Sequence, residues 1–242
     1  MNNLKEKFTQ IELNDLYSII DFFKDNDSYK FFRGQSKSEW VLIPKIARKH
    51  EEEKSDYGWG SRESFLLDDF KKYSIPYIKK EPQIDIEWLV IGQHYGLPTR
   101  LLDWTTNLLK ATYFSVSENQ SCDGALYALS PLWFLDNLYE ENTLDSFDKL
   151  TFFFPRMIDT RIIVQEACFS VFPLPPQNLR FESLENYSNY GNDYNHLIKI
   201  IIRKDLKEGI RNLLNKFGIN DRTLFPDLHG LSSFLAWEHK LI

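Results

Sequence analysis

From Gln93 to Thr105 the chain reads QHYGLPTRLLDWT, a run that sets amide, imidazole, phenol, hydroxyl, guanidinium and carboxylate groups among large apolar side chains. A helix end, a rigid turn at Pro98 and a following helix start would aim several of these donors at one ligand. Arg33 is the partner such a ligand calls for, because its planar fork grips two oxygens of a phosphate or carboxylate at once. At a helix C-terminus the dipole favours the charged form of His94, which makes that ring a donor or an acid. The competing reading of the same residues is a buried structural network. In it Asp103 pairs with Arg100 or Arg33, His94 caps its own helix, and Thr105 caps the next.

These side chains need elements to hold them. After a cap at Asn14, the spacing of Leu16, Ile19, Ile20 and Phe23 predicts an amphipathic helix. Tyr29 to Arg33 is β-prone and stops at Gly34, which places Arg33 at a strand end. Trp40 to Ile43 reads as a short extended piece stopped by Pro44, and charged Lys49 to Gly60 as a mobile connection. Phe65, Leu66, Phe70 and Tyr73 mark a second helix ended by Pro76, and Asp85 caps a third from Ile86 to Tyr95, closed by Gly96. Thr105, Thr106 or Asn107 caps the next helix, to about Ser117, and Ala125 to Leu129 is a buried strand. Arg161 to Phe172 and the run HLIKIIIR before Lys204 are strands. Leu206, Ile210, Leu213, Leu214 and Phe217 form a helical stripe ended by Gly218.

Along the strand expected at Arg161 to Phe172, period two puts Gln165 with Ile163, Ala167 and Phe169, and Glu166 with Ile162, Val164 and Cys168. Either polar group needs a partner or a cleft. Helices first and strands later, without regular βαβ alternation or a GxGxxG turn, give an α+β fold in one domain over 1–242, with its helices packed on a mixed or split sheet.

Bulk properties narrow the function. A net charge of -6 argues against a surface dedicated to nucleic acid. The N-terminus has no apolar h-region and no 18 uncharged apolar residues run together, so no signal peptide or membrane span is expected and a cytoplasmic protein is. Cys122 and Cys168 lack metal or disulfide spacing and read as small core hydrophobes. Asp227 and His229 have no metal-grade spacing, so no metal is expected there and the segment reads as a turn. HExxH, P-loop and GxSxG motifs are missing. A nuclease would need Asp103, Glu166 and Asp227 to gather around a divalent ion.

The order of several motifs resembles the FRG-domain family of prokaryotic and phage proteins. These are Phe32-Arg33-Gly34-Gln35, Trp40 and Pro44, the QHYGLPTRLLDWT block, Tyr113-Phe114, Asp123 to Tyr127, and Leu224 to Leu228 with Gly230. The resemblance runs from about residue 30 to 231 and implies a mobile-element or defence context. More distantly, the layout is similar to that of ADP-ribosyltransferases, which implies NAD as cofactor and a macromolecular target. Arg33 would then meet the pyrophosphate, with Gly34 and Gln35 beside it, and Thr99 or Thr105 would support the ribose. Tyr95, Trp104 or Tyr113 would stack on nicotinamide. Gln93, Arg100 and Asp103 would complete the pocket, and Gln165 or Glu166 would stand where these enzymes keep a catalytic carboxylate. The alternative is a binding module that senses a nucleotide or a phage component without turnover.

Overall fold

The computed structural model describes residues 8–48, 57–78, 80–136, 143–157, 159–176, 179–186 and 194–241. The elements follow as β1 (Phe8–Glu12), α1 (Leu16–Phe23), β2 (Phe31–Gln35), α2 (Trp59–Ser74), α3 (Asp85–His94), β3 (Leu101–Thr105), α4 (Leu108–Val116) and β4 (Gly124–Pro131). After them come β5 (Thr151–Phe153), α5 (Thr160–Val164), β6 (Ala167–Val171), β7 (Tyr194–Ile202), α6 (Lys204–Lys216), α7 (Asp221–Leu224) and α8 (Leu228–Glu238). The strands form one mixed sheet in the order β1-β7-β4-β2-β3-β6-β5, with β1 parallel to β7 and the other pairs antiparallel. The fold is α+β. No helix among the described residues is long and apolar enough to cross a membrane.

Strand alternation gives the sheet two unlike faces. Phe31, Leu102, Trp104, Tyr127 and Cys168 point to one, where irregular chain carrying Leu42, Ile46, Phe181 and Leu184 covers them. The other face carries the helices, in two groups. Leu16 and Ile19 of α1, Val116 of α4 and Ile210 of α6 pack on Phe32, Leu126 and Ile200. Leu67 of α2 and Leu89 of α3 pack with Leu101, Phe169 and Val171.

Between those two groups the sheet comes apart. Strand β2 pairs with β4 through five residues, and β3 with β6 through five, but β2 meets β3 only at Phe32 and Thr105. Beyond that pair the strands splay, and Arg33 Nη1 reaches across to donate 2.6 Å to the Asp103 carbonyl. A guanidinium thus replaces a ladder hydrogen bond and keeps the gap open at a set width.

Several expected elements stand and others move. Helix α1 is capped by Asp15, one residue later than expected, in a reciprocal box with Ser18. Helix α3 ends as expected at Gly96, whose φ is 91°, and Asn107 caps α4. Arg33 lies within β2 rather than at its end. Trp40 to Ile43 forms no strand, and residues 49–56 of the charged connection lie outside the described residues. Leu101 to Thr105 is a strand, not the lead-in to a helix. Arg161 to Phe172 is not one strand: the Asp159 side chain accepts the Arg161 amide and starts α5, and a tight turn with Glu166 at φ 49° then feeds β6. Ile162, Ile163 and Val164 are β-branched residues that favour a strand, but a good N-cap decides for helix.

Candidate functional site

The splay between β2 and β3 opens into a cavity of about 290 Å³ on the helical face of the sheet. Its floor is Phe32, Arg33 and Gly34 from β2, Asp103, Trp104 and Thr105 from β3, and Ala167 and Phe169 from β6. Gln93 and His94 enter from α3, Phe114 from α4, Arg161 and Gln165 from α5 and the turn after it, and Phe225 from the turn after α7. Residues nearly two hundred positions apart in sequence therefore share one wall.

A chain of hydrogen bonds fixes the polar corner. Thr99 is fully buried and donates through Oγ1 to Gln93 Oε1 at 2.7 Å, while Leu101 N donates to Thr99 Oγ1 at 3.1 Å. Gln93 Nε2 in turn donates 2.9 Å to Asp103 Oδ2, which lies 3.6 Å from Arg33 Nη1. Each group thereby orients the next, and the two that remain at the cavity surface are Asp103 and Arg33. The side chain of Arg33 is 14% exposed, and its Nε has no hydrogen-bond partner among the described residues. A buried donor of a charged group left open in this way is a place for a ligand acceptor.

Gly34 is glycine for packing. A Cβ there would overlap the carbonyl oxygen of Ala111 and sit 2.6 Å from Ser115 N, so only glycine lets α4 lie directly on β2. His94 faces the cavity with Nε2 3.4 Å from Asp159 Oδ1. Burial pulls its pKa below the ordinary value against the pull of Asp159. Burial thus works against the helix dipole, which would favour the charged ring.

Several expected ligand groups lie elsewhere. Tyr95 is two-thirds exposed and does not line the cavity. Trp104 turns its ring to the other face of the sheet, where Nε1 donates 3.0 Å to Ser170 Oγ. Tyr113 is buried among α1, α4 and α6 side chains. Tyr95 and Tyr113 therefore do not line the cavity, and Trp104 borders it while its indole hydrogen bonds on the far face. Phe114 and Phe225, with ring centres 6.1 Å apart, line it instead. Thr105 is buried, donates to Gln165 O at 2.7 Å and accepts Asn107 N at 3.0 Å, so its hydroxyl serves the fold.

Arg100 is also structural. It is 2% exposed, pairs with Glu63 at 3.0 Å and donates from Nη2 to Leu144 O at 2.7 Å. Burial outweighs the attraction of Arg100 and pushes Glu63 up to about 7. The folded chain keeps this proton between 4.5 and about 7 where the unfolded chain releases it. Stability from this group is therefore complete below about 4.5 and is lost as pH rises through about 7. Wild type should lose on the order of 2–3 kcal/mol over that window relative to Glu63→Gln, which thermal melts of both proteins at successive pH values would show.

The late polar residues are divided. Gln165 lines the cavity, with Nε2 donating 3.1 Å to Leu224 O. Glu166 points outside, where it binds Lys110 Nζ at 2.7 Å. Burial raises its pKa, but the Lys110 hydrogen bond and charge, with Asn107 and Thr106, bring it below the ordinary value. Asp227 caps α8 by accepting Gly230 N at 2.9 Å and pairs with Arg161. Asp103, Glu166 and Asp227 each serve a separate partner, and no three His, Cys, Asp or Glu side chains among the described residues could hold a metal ion. The nuclease arrangement is thus overturned. Asp103 is the cavity's one lining carboxylate among the described residues.

Arg161, Phe114 and Phe225 were missed as site residues. Phe114 and Phe225 sit in short motifs that the family resemblance had already singled out. Arg161 and Gln165 are four apart and come to one wall because α5 is a helix; an Asp159 cap read from the sequence would have paired them.

Residues 28–124 match the FRG domain family. That span supplies β2, α3, β3 and α4, the half of the cavity that holds Arg33, Gln93, His94, Asp103 and Phe114. No curated protein and no solved structure matches the chain.

Proposed function

Because the chain carries an FRG domain, we propose that this domain's splayed sheet is a nucleotide site, and that the protein is an NAD-using, ADP-ribosyltransferase-like effector or defence toxin. The single observation that carries this reading is Arg33, a cavity-lining guanidinium held across the gap by the Asp103 carbonyl, whose buried Nε has no partner among the described residues. Such a group suits a pyrophosphate. Phe114, Phe225 and Phe169 would flank the nicotinamide ribose with apolar surface.

Transfer breaks the bond between ribose C1′ and the nicotinamide nitrogen, with the electron pair leaving on nicotinamide, and forms a bond from C1′ to a nucleophile of the target. Positive charge builds on the ribose meanwhile. Asp103, oriented by Gln93 and Arg33, is the carboxylate placed to face that charge. Gln93, which also lines the cavity, and the buried Thr99 behind it set its position.

Incubation with NAD tests the reading. Nicotinamide release, with ADP-ribose on a protein or nucleic acid of a lysate, is expected of wild type and not of Asp103→Asn. Absence of both products across lysates and purified targets would contradict it.

One feature favours a second reading, a module that binds a nucleotide without turnover. The Gln165 amide donates to Leu224 O and Glu166 lies outside, so no glutamate among the described residues lines the cavity. Saturable binding with the ligand recovered intact would select this alternative.

A further inference from the structure

Arg33 has a second side. Between the segment Gln35–Arg48 and the last turn of α4 lies a groove of about 670 Å³, walled by Arg33, Gln35, Trp40, Arg48 and Phe114. It is separate from the splay and adjoins it through Arg33, Gly34 and Phe114, which line both. Gln35 is 5% exposed, yet its Oε1 has no hydrogen-bond partner among the described residues. An acceptor buried without a partner is costly, so it marks a place where a ligand N–H belongs. Trp40 stands 44% exposed at the groove wall, with Lys37 Nζ 5.7 Å from its ring centre, and offers a flat face on which a planar group can stack. Arg48 lines the same space as Arg33, with its Nε donating 3.3 Å to Ile43 O, so two guanidinium groups border one groove and an anion set between them would meet both.

We propose that this groove is a nucleobase subsite, in which Gln35 Oε1 accepts a hydrogen bond from an exocyclic amine, Trp40 stacks on the ring, and Arg48 joins Arg33 on the phosphate. The groups fit one chemical class. The donor for Gln35 and the flat face for Trp40 specify an amino-substituted heterocycle, and the paired arginines specify a phosphate within a few ångströms of it. Exposed Glu39 and Glu118 on the same walls offer acceptors for ribose hydroxyls. An adenine nucleotide has all three parts. The inference deepens the nucleotide reading and rests on it for the direction of the ligand: base in the groove, phosphates at Arg33, and the second ribose in the splay.

The test uses AMP, ribose 5-phosphate and purine riboside 5′-monophosphate, the last being AMP without its amine, titrated into the whole chain by calorimetry. Wild type should bind AMP at least tenfold more tightly than either of the others. Gln35→Met should erase the preference over the amine-free analogue, and Trp40→Ala the preference over ribose 5-phosphate. Both variants should melt near wild type, since Trp40 is exposed and Met fills the space of Gln. Failure of AMP to bind saturably, equal binding of the three compounds, or an unchanged preference in Gln35→Met would each overturn the subsite. These outcomes are separate from catalysis. AMP binding with no nicotinamide release sinks the transferase reading and leaves the groove assignment standing, while nicotinamide release with no AMP preference does the reverse.

Discussion

Arg33→Ala should bind ADP-ribose at least about a hundredfold more weakly than wild type and yet remain folded. The loss follows from removing two charge-assisted hydrogen bonds to phosphate, each contributing about 1.5–3 kcal/mol, where 1.4 kcal/mol is a factor of ten in affinity. Stability should suffer less. A fully buried ion pair would leave an uncompensated charge on truncation, but the Asp103 side chain is 50% exposed and keeps its Gln93 hydrogen bond. The main structural loss is the bond from Nη1 to the Asp103 carbonyl, which costs about 1–2 kcal/mol. Arg33→Lys should restore the melting temperature better than the affinity, because a point charge cannot present the open Nε edge. Calorimetric titration and melting curves of the three proteins decide this. A variant that binds ADP-ribose as wild type does would remove Arg33 from the site.

Lys207→Met should be the more damaging change to the fold. Lys207 has no exposed surface, and its Nζ donates to Ser36 O and Glu118 O at 2.8 Å and to Asn119 O at 3.0 Å. It therefore ties α6 to the end of β2 and the end of α4. Met is near in volume and carries no charge, but it takes the donor from Ser36 O and Glu118 O and leaves Asn119 O with Cys122 N alone. We expect a loss of about 3–5 kcal/mol, which for a chain of this length lowers the melting temperature by roughly 6–15 °C. Ser36 and Glu118 also line the groove beside Arg33, so the same variant should bind AMP less well at temperatures where it stays folded. A melting temperature within two degrees of wild type would show that those carbonyls find other partners.

The gap between β2 and β3 gives the molecule its logic. A sheet that paired fully there would carry Arg33 on a closed surface. Pairing instead stops at Phe32 and Thr105, and helices α3 and α4 diverge over the gap because each packs on its own half of the sheet. The polar side chains along the opening then need partners. Thr99, Gln93 and Asp103 supply them to one another, and the edge of Arg33 that they leave unsatisfied is the edge a ligand can take.

Much of this was legible in residue types. The helical stripe at Leu16 to Phe23 and the Gly96 stop are local features, and local chemistry decides them. The family resemblance was likewise carried by short motifs around Arg33 and the QHYGLPTRLLDWT block. The misreading of Arg161 to Phe172 is instructive because RIIVQEACFSVF suits a strand by composition. Its first half became a helix through one carboxylate, Asp159, just before the run. Strand β3 was hidden for a related reason: Leu101 to Thr105 follows a Pro98 turn and precedes a helix cap, and only pairing with β6, some sixty residues on, makes it a strand. Tertiary contacts also decided between neighbours. Trp104 and Asp103 are adjacent in sequence, and alternation sends one to the core and the other to the cavity. Arg100 and Arg33 were equal candidates for Asp103 until Glu63, on a helix that composition alone could not orient, claimed Arg100.

The most direct test is a crystal structure of the chain soaked with ADP-ribose. The account predicts a phosphate oxygen within hydrogen-bond distance of Arg33 Nε, with the terminal ribose in the opening between β2 and β3 beside Asp103. A well-occupied ligand that leaves Arg33 Nε unpartnered, or that binds away from that opening, would contradict it.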